Sequence, residues 1–238
     1  MREIVDLLSV LTEEAKMSWG EKGLTVNVVD GSHVALLSAT ISDACFETYE
    51  CEPVEIGLEL GKLRDLLTLA GPSDLVEIDY DDAVGAVNVR VGQVHRILRG
   101  LDTNSMSDPK LPVLDFDCSA TIDAEKLSRS LRAAKFVGEL VDLSLDSKEM
   151  RVSVTVEAGE GVNVSFESGE LSELTCPSPT QGTYSLQFLD PLTRKLASGL
   201  ASDVQVRFQD KYPLRLDWSS NDGGASWTYF LAPRVTND

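Results

Sequence analysis

Histidine and cysteine are scarce in this 238-residue chain, with two of the first and four of the second. His33 and His95 fall in neither HxH nor HExxH spacing, and Cys45, Cys51, Cys118 and Cys176 form no CxxC pair. Zinc and other transition metals draw their protein ligands from clustered His and Cys, so such a site has little to build on. The same spacing offers no disulfide framework, and each cysteine is expected as a buried, reduced thiol acting as a small hydrophobe. No apolar run approaches the ~20 residues that cross a bilayer. The opening MREIVDLLSV carries acids where a secretory signal needs bases. A soluble, intracellular protein without membrane or cofactor is expected. Nucleotide and nucleophile signatures are missing as well: there is no GxSxG elbow and no GxxxxGK loop, and Gly159-Glu160-Gly161 lacks the third glycine of a dinucleotide fingerprint.

Positive charge is also short. Thirty-nine acids face 21 Lys and Arg, leaving a net charge of −18. That excludes a protein gripping nucleic acid over its whole surface, but not one with a local basic stripe. The remaining composition, 42% hydrophobic and 25% charged, is that of a globular chain long enough for one large domain or two small ones.

Periodicity favours two. Ile4, Leu7, Leu8 and Leu11 mark an amphipathic first helix. Gly23–Gly31 alternates as a strand closed by a turn, with further strands expected at Val34–Ile41 and Val54–Leu60. A short helix over Gly61–Ala70 stops at Gly71-Pro72-Ser73-Asp74, before strands at Leu75–Tyr80 and Ala86–Leu98. Residues 102–117 break the rhythm with Asp, Asn, Ser and the extended prolines Pro109 and Pro112, as a linker does. The second half repeats the order. Asp123 caps a helix through Glu125–Phe136, and Gly161–Gly169 matches Gly23–Gly31 in length and flanking glycines. A strand at Thr183–Phe188 leads to Asp190-Pro191, an N-cap and N1 proline opening a helix over Leu192–Leu200. We expect an α+β fold of two tandem similar domains, 1–101 and 118–238, joined by the linker 102–117.

Catalysis has one weak candidate. Asp79, Asp81 and Asp82, with Asp115 and Asp117 as helpers, can in principle hold Mg²⁺ for a hydrolase. Asp81-Asp82-Ala83-Val84-Gly85 also suits a polar turn between strands, and in so acidic a chain that is the better reading. The bases are more telling. Lys126, Arg129 and Arg132 recur three apart, within about 120° of helix circumference, opposite Leu127, Leu131 and Ala134. Arg194 and Lys195 sit on the later helix, and Lys62 and Arg64 flank the Leu63/Leu67 stripe. Each alone suits a solvated helix face; together they make a basic surface that can track a phosphate backbone without reading bases.

Val29-Asp30-Gly31-Ser32-His33-Val34-Ala35-Leu36 and the ending Tyr229-Phe230-Leu231-Ala232-Pro233-Arg234-Val235 resemble the proliferating cell nuclear antigen (PCNA) family of sliding clamps. Phe46-Glu47-Thr48-Tyr49-Glu50, Asp210–Leu214, the duplicated domain and the central linker fit it too. The resemblance implies a clamp fold assembling as a homotrimeric ring around double-stranded DNA, with helices lining the hole, acting in cytoplasm or nucleoid, or in a nucleus. It implies a non-catalytic DNA polymerase processivity factor that tethers polymerase, clamp loader and repair proteins. The DNA-facing residues it implies are Lys62, Arg64, Lys126, Arg129, Arg132, Arg194 and Lys195. It also implies a pocket for short hydrophobic-aromatic partner peptides at Val29, His33, Val34, Leu36, Leu111, Pro112, Pro213, Phe230, Ala232 and Pro233. Family members begin with a strand before the first helix, whereas this chain starts inside that helix, so its first sheet is expected one strand short. A subunit of a heterotrimeric or checkpoint ring, a DNA-free scaffold and the acidic metal-dependent hydrolase are the alternatives.

Overall fold

The computed structural model describes residues 1–71, 73–156 and 159–234. It divides into two compact units, Met1–His33 with Leu37–Lys110 and Val34–Leu36 with Leu111–Asp238. Pro72 of the expected helix stop and Val235 of the C-terminal motif lie outside the described residues.

In the first unit, α1 (Arg2–Leu8) buries Ile4, Val5, Leu7 and Leu8. It packs with α2 (Leu60–Leu67), which buries Leu60, Leu63, Leu66 and Leu67. Strands β1 (Glu14–Gly20), β2 (Gly23–Val29), β3 (Ala35–Ser42) and β4 (Val54–Glu59) form a sheet in the order β3-β2-β1-β4. Gly23 sits at φ +122, and a Cβ there would fall 2.0 Å from the Ile41 carbonyl oxygen, so only glycine fits that turn. Trp19, Phe46 and Tyr49 pack together, and the Tyr49 hydroxyl donates to the Gly20 carbonyl at 2.6 Å. The Phe46–Glu50 motif therefore serves the β1–β2 turn. A second sheet, β5 (Val76–Asp81), β6 (Ala86–Val91) and β7 (Val94–Arg99), is a simple meander. The expected single stretch Ala86–Leu98 is thus a hairpin, broken where Gly92 takes φ +56.

The second unit repeats the plan with two more strands. Its elements are β8 (Ser119–Asp123), α3 (Ala124–Lys135), β9 (Leu140–Leu145), β10 (Glu149–Thr155), β11 (Gly161–Glu167), β12 (Glu173–Thr175), β13 (Thr180–Ser185), α4 (Leu186–Lys195), β14 (Asp203–Arg207), β15 (Leu214–Ser219) and β16 (Ala225–Leu231). The sheet β11-β10-β9-β13 answers to β3-β2-β1-β4, and β14-β15-β16 answers to β5-β6-β7. β14 also pairs with β8, from Asp203 opposite Asp123 to Arg207 opposite Ser119, and β8 pairs with β12. In the first unit no described strand covers the matching edge of β5. Trp218 and Trp227 face each other across β15 and β16 and stack, 6.0 Å between ring centres.

The last helix departs from the sequence reading. Thr183–Phe188 is not all strand: α4 begins at Leu186, Asp190 lies inside it as no N-cap, and Pro191 is its sixth residue. Leu186, Leu189, Leu192 and Leu196 are all buried at helical spacing. Burying each such side chain contributes roughly 1.5–3 kcal/mol, which outweighs about 3 kcal/mol for an interior proline. The helix then closes through a wide turn over Leu196–Leu200, where Gly199 adopts φ +106.

Candidate functional site

Three residues of the α3 surface, Lys126, Arg129 and Arg132, stand exposed on one side, while Leu127, Leu131 and Ala134 are buried on the other. The helix starts where it does because the Asp123 carboxylate accepts the Lys126 backbone N–H at 2.8 Å. Among the described residues none of the three side chains pairs with a carboxylate. Lys135 continues their three-residue spacing, is exposed, and was not picked out from the sequence although that spacing pointed to it. Glu125 is the single acid on the helix. Arg132 and Lys135 sit in the last turn, where the partial negative charge of the helix end favours cations.

The other bases are more committed. Arg194 donates from Nε to the buried Asp190 carboxylate at 2.9 Å, one turn earlier on α4. Lys195 is half-buried. In the first unit Lys62 pairs with Glu59 at the end of β4, and Arg64 is exposed beside Asp65. α3 packs against α4.

The residues expected to form a peptide pocket fall in both units. Val29, at the end of β2, is half-buried; His33 is exposed in the turn after it, at φ +57, with its N–H donated to the Asp30 carbonyl at 2.9 Å. The buried Asp30 carboxylate accepts the Ser32 N–H at 2.8 Å, which makes this turn compact. In the second unit, Val34 and Leu36 are half-buried on either side of buried Ala35, and the Ala232 N–H donates to the Val34 carbonyl at 2.8 Å. The β15–β16 register sets Arg215 opposite Phe230 and Leu214 opposite Leu231, with Pro213 and Ala232 the residues that flank this last pair. Val34, Pro213, Ala232 and Pro233 are all half-buried. Phe230 is only 5% exposed and lies under the Arg215 guanidinium, 5.5 Å from the ring centre. Asp217 holds Arg215 by paired contacts of 2.8–3.0 Å, and itself accepts from Thr228. Arg215 and Asp217 were invisible in the sequence because alternation along a strand does not say what lies opposite. The late loop is anchored by the Tyr184 hydroxyl, which donates to the Tyr212 carbonyl at 2.9 Å, and by Phe116 edge-on to Tyr212. Leu111 and Pro112 are exposed, beside the almost fully exposed Val113.

The acidic candidates take an ordinary place. Asp79 and Asp81 are exposed on β5, and the Asp81 carboxylate accepts the Ala83 N–H at 3.0 Å to shape the β5–β6 turn. Among the described residues no group of three His, Cys, Asp or Glu side chains could hold a metal ion. No helix among them is long and apolar enough to cross a membrane. The cysteines differ from expectation: Cys45 is exposed and Cys51 half-buried, and only Cys118 and Cys176 are buried. Cys45 ends the short 3-10 turn Asp43–Cys45 that follows β3, and Cys51 lies in the stretch that leads into β4.

Residues 1–119 match the family model described as proliferating cell nuclear antigen, N-terminal domain. A DNA polymerase sliding clamp of Natronomonas pharaonis is 27% identical over 236 residues, covering 98% of this chain and 94% of that protein. One from Methanothrix thermoacetophila is 28% identical over 241 residues, covering 100% and 96%. Among solved structures, A. fulgidus PCNA bound to the C-terminal region of FEN-1 superposes with a TM-score of 0.90 at 23% identity, covering 100% of this chain and 96% of that one. PCNA from Thermococcus kodakaraensis follows at 0.88 and 21% identity, covering 98% and 95%. The fold is that of these clamps.

Proposed function

The chain belongs to the proliferating cell nuclear antigen family, and from that premise we propose that it is a DNA sliding clamp that closes as a homotrimer around duplex DNA. The observation that carries the DNA contact is the exposed face of α3. In a chain of net charge −18, Lys126, Arg129, Arg132 and Lys135 share one helix with a single acid. Cations without intramolecular partners remain free to replace counterions along a phosphate backbone, giving salt-sensitive contact that carries no sequence information and so permits sliding. Arg194 and Lys195 of the second unit, and Lys62 and Arg64 of the first, are the weaker candidates for the same kind of contact.

Ring closure is supported by unpaired edges. β7 and β11 each end a sheet among the described residues. β7 exposes Val94 and Ile97 with Arg96 and Arg99, whereas Glu160 and Glu167 bracket β11. Phe136, 80% exposed, ends α3, which packs on β11. Opposite charge and unlike edges suit a head-to-tail contact, the kind that closes rings.

The clamp does no chemistry of its own in this reading. It holds polymerase and repair proteins near DNA by accepting their peptides, as the FEN-1 segment is held on A. fulgidus PCNA. The half-buried Val34, Leu36, Pro213, Ala232 and Pro233 of the second unit offer an apolar surface for an aromatic anchor, and Leu111 and Pro112 of the same unit are exposed.

Light scattering tests assembly: three chains of 25.9 kDa give about 78 kDa. Ile97→Asp should return the single-chain mass, and a wild-type chain that stays single at all salt concentrations would overturn the homotrimer. Retention on circular DNA, lost when that DNA is linearised, tests encirclement.

A further inference from the structure

Cys118 and Cys176 are 58 residues apart in sequence, yet their sulfurs lie 2.9 Å from each other. Both side chains are buried, at 3% and 8% exposure. The geometry points to a covalent modification site: we propose that these two thiols form a cross-strand disulfide that pins the sheet edge strand β12 to β8.

The register places them. Glu173 faces Thr121, Leu174 faces Ala120 and Thr175 faces Ser119; Cys176 and Cys118 flank this last pair, and continuing the register by one step sets them against each other. Directly opposed residues of antiparallel strands have Cα atoms about 4.5–5.5 Å apart, inside the ~4.4–6.8 Å that a disulfide spans. Both sulfurs also approach the Ser178 carbonyl, at 3.0 Å from Cys176 and 3.4 Å from Cys118, which orients the two side chains toward one point.

The oxidant is a low-molecular-weight disulfide such as oxidised glutathione. Burial, with the hydrogen bond to Cys118 next, pushes the Cys176 thiol up to about 12, so the pair reacts when β12 opens to water. One of the two thiols gives up its proton and attacks a glutathione sulfur, the glutathione disulfide breaks, and the departing glutathione thiolate takes up a proton. The second protein sulfur then attacks the mixed disulfide, passes its proton to the departing thiolate, and releases the second glutathione. Two protein thiols and one small disulfide become one protein disulfide and two small thiols. Entry requires β12 to open, and a three-residue outer strand is the easiest part of its sheet to open. Once formed, the bond closes a long loop and removes freedom from the unfolded chain, so the oxidised protein melts higher.

The test uses the full chain and a Cys45→Ser/Cys51→Ser version that keeps only this pair. Each is brought to equilibrium with oxidised and reduced glutathione in mild urea below the unfolding midpoint. Thiols are then counted after denaturation, and intact mass and linked peptides are read. The expected result is joint loss of two thiols, a mass lower by two hydrogens, a Cys118–Cys176 linked peptide, and a pair more than half oxidised at equal glutathione concentrations. Cys176→Ser should abolish both the link and the rise in melting temperature. In the version that keeps only this pair, two thiols that persist or a glutathione adduct as the end product would overturn the proposal; in the full chain, a link through Cys45 or Cys51 would do the same.

Discussion

Neutralising Arg129 and Arg132 together tests the DNA-facing assignment at its strongest point. Both side chains are exposed and without ion-pair partners among the described residues, so the double alanine variant removes charge and little else. Alanine is the best helix former, which offsets the ~0.3–1 kcal/mol that Arg132 contributes against the helix end. Stability should therefore stay within about 0.5 kcal/mol of wild type. Affinity for duplex DNA should not. Each phosphate contact contributes about 0.9 to the slope of log affinity against log salt, so two lost contacts flatten it by about 1.8 per chain. Between 50 and 200 mM salt that amounts to roughly a tenfold smaller decline in affinity for each chain engaged. The assay is a fluorescent duplex titrated with clamp across that salt range. Lys148→Ala, in the exposed turn between β9 and β10, controls for the general change in net charge. An unchanged slope, or an equal change from Lys148→Ala, would refute the role of α3.

Three further outcomes are expected. Asp123→Ala removes the side chain that caps α3 through the Lys126 N–H and should cost about 1 kcal/mol in urea unfolding, with Asp123→Asn close to wild type. Arg194→Ala strips the partner from Asp190, 6% exposed, and should cost several times more than Arg129→Ala, on the order of 3 kcal/mol; equal effects would mean that Asp190 is otherwise satisfied. The Asp146 carboxyl is held below its ordinary value of 3.8 by backbone N–H donors at Lys148 and Glu149. A depressed folded-state pKa stabilises above the unfolded value and loses that contribution as pH falls through the folded one. The melting-temperature gap between wild type and Asp146→Asn should accordingly be present at neutral pH and close on acidification below the ordinary carboxylate range.

Much of the secondary structure was readable because burial imposes a period on the chain. The stripes of α1, α2 and α3 and the alternation in β2 and β11 follow directly from residues that must face a core. The Asp123 cap was readable because a short polar side chain at that place has one useful thing to do. The reading failed where two signals competed. Pro191 looked like a helix start, yet four buried leucines carry α4 through it; Ala86–Leu98 looked continuous, yet Gly92 reverses it. Strands β1, β9 and β10 were passed over because mixed residues such as Glu14, Lys16 and Arg151 blur their alternation.

By itself the sequence determined the duplication, the acid balance and the row of bases three apart on α3, since these depend on order and composition alone. Only the tertiary structure decided which bases are free: Asp190 claims Arg194 and Glu59 claims Lys62, while Lys126, Arg129 and Arg132 find no carboxylate among the described residues. It also decided that Arg215 covers Phe230 and that Cys118 meets Cys176. The physical reason is the same in each case. Contacts between strands far apart in sequence depend on register, and register is set by how whole sheets pair and pack, a property that no local pattern carries.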